Sequence, residues 1–139
     1  MKISRIYTIF GIVALVIVAV AVGLAVDAGA YEMRTNKEKR VRVDVKPVQL
    51  APGQPAKFEV QMNTHSEALE EDMVAVSSLK DNAGRVYQAT AWQGSAPGGH
   101  HREGVLEFPK LENNPESITL IIRKVAEVPE RTFEWSVER

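Results

Sequence analysis

Between residues 6 and 26 the chain carries no charged side chain, and Ile, Val, Ala and Leu dominate the run. At about 1.5 Å of rise per residue it makes a helix of roughly 31 Å, which matches a hydrocarbon core of about 30 Å. The many β-branched residues do not argue for a strand, because a lone span in lipid must satisfy its own backbone hydrogen bonds. The sequence therefore predicts an N-terminal transmembrane helix, residues 1–30, ahead of everything else.

Lys2 and Arg5 precede the span like a signal n-region, and Ala28-Gly29-Ala30 offers an A-x-A cleavage site. The apolar run exceeds the usual h-region, so an uncleaved signal-anchor is the expectation and a removed signal peptide the alternative. Both place the remainder outside the cytoplasm, and the signal-anchor makes it a cell-membrane protein with a single pass. More Lys and Arg follow the span than precede it, which opposes that orientation by the positive-inside rule. The nearest flanks, Lys2 and Arg5 before and Asp27 after, favour it.

Beyond the span the 139-residue chain has room for one domain. A formal net charge of -1 leaves no broad basic surface for nucleic acid. The absence of cysteine excludes disulfides, thiolate metal sites and a cysteine nucleophile.

Residues 31–40 are polar and charged without an apolar stripe, and read as a juxtamembrane stalk. From residue 41 the period becomes two: Val41, Val43 and Val45 alternate with Arg42, Asp44 and Lys46, and Phe58, Val60 and Met62 with Lys57, Glu59 and Gln61. Ala51-Pro52-Gly53-Gln54 suits a type II turn between them. Further strands are predicted at 73–80, 85–91, 104–108, 117–124 and 131–137, broken by Asp81-Asn82-Ala83-Gly84 and Asn113-Asn114-Pro115-Glu116. The run from Ile118 to Ile122 is apolar on both faces, as a central strand would be. About seven strands with no convincing helix predict an all-β immunoglobulin-like or cupredoxin-like sandwich over residues 41–139.

All three histidines fall in this domain. His65 lies in Asn63-Thr64-His65-Ser66, and His100 and His101 in a glycine-flanked loop. Imidazole is the commonest metal ligand near neutral pH, and thioether sulfur beside it suits copper. His65, His100 and His101 with Met73 form the candidate metal set, copper favoured. Met62, on the inward face of its strand, is expected in the core. Adjacent strand residues diverge, so Ser66 is not poised for activation by His65, and no phosphate-cradling loop is present. The domain is expected not to be an enzyme. Trp92 either plugs the end of the sandwich or offers a binding platform beside the histidines.

Asn63-Thr64-His65-Ser66, Trp92-Gln93-Gly94 and Gly98-Gly99-His100-His101-Arg102-Glu103-Gly104 together carry a resemblance. The chain resembles an uncharacterised family of bacterial or archaeal membrane-anchored, extracytoplasmic β-sandwich proteins with this pattern, over about residues 41 to 109. The resemblance implies the anchor and the sandwich but no biochemistry. At fold level the domain is similar to periplasmic copper-handling sandwiches, without their methionine-rich loop or N-terminal histidine. Two functions follow as expectations: a tethered domain binding copper through its histidines, or an interaction module, an accessory subunit of a membrane complex.

Overall fold

The computed structural model describes residues 31–138. The expected membrane span and signal cleavage site lie outside the described residues, among which no helix is long and apolar enough to cross a membrane. Among the described residues nine strands run in the order β1 (Arg34–Glu38), β2 (Val41–Gln49), β3 (Pro55–Thr64), β4 (Ser77–Asp81), β5 (Val86–Gln88), β6 (Ala91–Gly94), β7 (His101–Lys110), β8 (Ser117–Arg123) and β9 (Glu130–Ser136). They form two antiparallel sheets, β1-β2-β3-β7-β6 and β5-β4-β8-β9.

The all-β expectation holds, and the alternation explains how the sheets close. Val41, Val43, Val45, Phe58, Val60 and Met62 from one sheet and Leu79, Ile118, Leu120, Ile122, Phe133 and Trp135 from the other bury into a single core. Phe58 ties the layers together: its ring meets Phe108 edge-on at 5.6 Å and Trp135 across the interface at 5.7 Å. The run 118–122 is central, hydrogen-bonded to β4 and β9, yet only Ile118, Leu120 and Ile122 are fully buried. Its other face is half-buried rather than covered. The turn at Ala51–Gln54 forms as expected, with Gln54 N donating to Ala51 O at 3.2 Å and Gly53 at φ +76°.

Residues 31–40 correct the stalk expectation. They supply β1, paired with β2 from Arg34↔Val45 to Glu38↔Val41, so the sheet begins before residue 41. Its side chains bury little, and what holds the strand is backbone pairing plus one arginine. Arg131, fully buried, donates Nη1 to Asn36 Oδ1 at 2.6 Å and Val41 O at 3.2 Å, and Nη2 to Glu38 O and Val125 O, both at 3.1 Å. Burial lowers the Arg131 pKa from its ordinary value, with Glu38 and Glu71 opposing. Nearer the start, Trp135 Nε1 donates to Glu32 O at 2.7 Å and Glu138 N to Tyr31 Oη at 3.2 Å.

Two predicted strands are divided. Residues 73–80 open with a single helical turn, α1 (Met73–Val76), before β4; Asp72 caps it by accepting from Val74 N at 3.0 Å and Ala75 N at 3.3 Å. Residues 85–91 become β5 and the start of β6, on opposite sheets, so the chain crosses layers at Ala89 and Thr90.

Candidate functional site

The Asn63–Ser66 and Gly98–Gly104 segments, some 35 residues apart in sequence, meet at one end of the sandwich. Asn63 pairs with His101 across β3 and β7, and Thr64 N donates to His100 O at 3.0 Å. His65, just beyond β3, is exposed, as are His100 and His101. The histidines therefore share one end. Adjacent histidines on a straight strand would diverge, but Gly98 and Gly99, at φ +111° and +77°, turn the loop immediately before them.

What fixes this end is Arg102, a residue the sequence reading did not single out. It is 2% exposed, facing inward between the sheets. Its Nη1 donates to Leu69 O at 3.2 Å and Glu71 O at 2.7 Å, its Nη2 reaches Ser95 O at 3.4 Å, and its guanidinium lies 5.6 Å from the Trp92 ring. Burial lowers its pKa, with Glu71 and Asp72 opposing. Two backbone bonds complete the knot, Gly98 N to Leu69 O at 2.8 Å and Leu69 N to Gly99 O at 3.1 Å. Period two, carried back from Phe108 and Leu106 through Gly104, places Arg102 inside; stopping the strand at residue 104 hid it.

Much of the motif is thereby used in architecture. Trp92 donates Nε1 to Ser95 O at 2.9 Å, and a Cβ on Gly104 would stand 2.7 Å from its Cζ2. Gly94 lies opposite Gly104, where a Cβ would collide with the Glu103 carbonyl. Trp92 plugs the sandwich, and the two glycines let β6 and β7 close around it. Thr64 Oγ1 accepts from Ser66 N at 3.3 Å and Glu67 N at 3.2 Å, turning the chain out of β3.

The histidines are left over. His101 Nδ1 lies 2.7 Å from Asn63 Oδ1, which holds the exposed ring by one nitrogen, with no partner on Nε2 among the described residues. Met73 does not join them: at 1% exposure its thioether packs in the core, as does that of Met62. The reason is its inward position at the start of α1, which the even pattern of the sequence did not separate from a loop position. Among the described residues no group of three or more His, Asp or Glu is arranged to hold a metal ion.

The opposite end belongs to the start of the described chain. Tyr31 and Glu32 lie beside the close of β9, next to the loop at Asn113 and Asn114. No protein-family model, curated protein or solved structure matches the chain.

Proposed function

We propose that the protein is a membrane-tethered, extracytoplasmic β-sandwich, immunoglobulin-like or cupredoxin-like, that acts as a non-enzymatic binding module. Residues 1–30 are its anchor, and the histidine end is the surface it presents to a protein partner in a membrane complex. One observation carries this reading: at that end the buried motif residues are consumed in packing, whereas His65, His100 and His101 stand outside it. A loop clamped by a buried arginine and three backbone bonds is pre-organised, which reduces the ordering cost of binding.

The test has two arms. Protease added to intact cells should remove the domain from the outside. A photo-crosslinking residue at Ser66 should give one adduct, lost in the His65→Ala/His100→Ala/His101→Ala variant at unchanged melting temperature. A domain protected from external protease, or an adduct that survives the triple variant, rejects the reading.

The hydrogen bond between Asn63 and His101 favours a second reading, copper binding by the same end. A ring held at Nδ1 by a side-chain oxygen is the arrangement that fixes the tautomer of metal-ligating histidines. His65 and His100 are the nearest candidates for further donors. Copper titrated into the full chain should then bind at about one equivalent, lost in His101→Ala and kept in Met73→Leu. Equal uptake by the wild type and His101→Ala rejects this second reading.

A further inference from the structure

The outer face of the five-stranded sheet is largely polar, but its side chains are not used evenly. On the β1–β2 side, Asp44 accepts from Thr35 Oγ1 at 2.5 Å and from Arg42 Nε at 2.9 Å. At the other end of β3, Lys57 and Glu107 form an ion pair at 3.8 Å. Between them lie two adjoining depressions of about 400 and 260 Å³ that share Gln61 and Glu103. Glu59 and Gln93 line the larger, Asn63 and His101 the smaller.

The register makes this one surface. Gln61 pairs with Glu103 and Asn63 with His101, while Glu59 and Gln93 flank Val105 from either side. At about 3.4 Å per residue and 4.8 Å between strands, the patch measures roughly 14 by 10 Å. Among the described residues, the side chains of Glu59, Gln61, Gln93 and Glu103 make no hydrogen bond or ion pair. Amides and carboxylates without a protein partner are therefore gathered here, with Lys46 beside Glu59 on the β2 side.

We propose that this groove binds a neutral or amino-bearing oligosaccharide. Amides present donors and acceptors together and carboxylates present acceptors, a combination that matches a dense array of hydroxyl groups. Two carboxylates disfavour an anionic ligand. Val105 is the one apolar side chain in the floor, so the buried apolar centre typical of a protein interface is missing. The proposal rests on the reading of the domain as an exported binding module; it shares His101 with the crosslinking test but is probed at Gln61 and Glu103, which the triple histidine variant leaves intact.

The test titrates chitotriose, cellotriose and maltotriose into the ¹⁵N-labelled full chain, in a detergent whose headgroup carries no sugar. At least one should give saturable amide shifts centred on Gln61, Gln93, Glu103 and Val105. Gln61→Ala and Glu103→Ala should each weaken it by about tenfold, the worth of one good hydrogen bond to a charged or buried group. Lys80→Ala, exposed on the other sheet, should bind as the wild type does. No saturable shift up to about 10 mM, where even millimolar binding registers, overturns the proposal. So do shifts that map elsewhere, or undiminished binding by both groove variants. Adducts from Ser66 that persist while sugar binding fails would leave the module reading standing without this ligand.

Discussion

Arg102 and Arg131 occupy positions where alternation calls for an apolar side chain, and each donates to the backbone carbonyl oxygens gathered around it. Arg131 bonds to three backbone carbonyls and Asn36, and removing its planar fork takes a charged donor from all four at once, leaving Val125 O only the Val128 N–H. Lysine keeps the charge but not the geometry. Arg131→Lys should cost about 2–3 kcal/mol, read as a lower denaturant midpoint at unchanged slope. Its effect should spread to β1, whose amides should lose hydrogen-exchange protection first. Gly104→Ala acts differently, forcing a Cβ against Trp92 and the Gln93 carbonyl at 2.7 and 2.8 Å. Overpacking of this kind costs about 1–3 kcal/mol, and here it should also shift Trp92 fluorescence as the ring leaves Arg102. Both arginines fit the period of two read outward from Phe108 and from Phe133 and Trp135. Their inward placement was legible in pattern, but charge argues for solvent, and only the carbonyls gathered around them reverse that argument.

At the scale of elements, β1 shows why some of the fold was hidden. Arg34–Glu38 has no apolar alternation, and the two-residue turn that follows is Lys39-Arg40, not a glycine or asparagine pair. Both turn residues nevertheless sit at positive φ, +48° and +63°, as a type I′ hairpin turn requires. Neither signal by which a hairpin is read was present, and the strand forms because Arg131 and the edge of β2 capture it. The turn is consequently strained. Lys39→Asn with Arg40→Gly should stabilise the domain by about 1 kcal/mol, raising the melting temperature without changing the sheet. A fall in stability would mean that the basic side chains at this turn hold something the backbone does not. The strands from Val41, Phe58, Ile118 and Phe133 were legible because one wet face and one buried face write themselves as alternation. The crossing at Ala89 and Thr90 was not, since a chain that changes sheets keeps its β-forming residues while exchanging partners. The candidate site was legible in the same partial way. The histidines could be expected at one end from the strand ends they flank, but Met73 became core because its loop curls into a helical turn.

For the whole molecule, the register sets a polarity. Tyr31 stands three residues before Arg34, whose partner is Val45, while the histidines lie level with Val41 and Thr64. About seven residues of strand at 3.4 Å separate the two levels, roughly 24 Å. If residues 1–30 anchor the chain, the loop at Asn113 and Asn114 faces the bilayer and His100 faces away. The absence of cysteine makes this directly measurable, because one introduced thiol is the sole labelling site. A fluorophore at Asn114→Cys in the full chain reconstituted in vesicles should be quenched by lipid-borne nitroxides. The same label at His100→Cys should be quenched weakly, since 24 Å exceeds the reach of contact quenching. Increasing salt should leave the difference intact, because the tether is apolar and not electrostatic. Equal quenching at the two positions would mean that the sandwich lies flat on the membrane, with the outer sheet face or its edge against the headgroups. Stronger quenching at His100→Cys would invert the polarity and bring the histidines to the lipid, removing the basis for a partner-facing end.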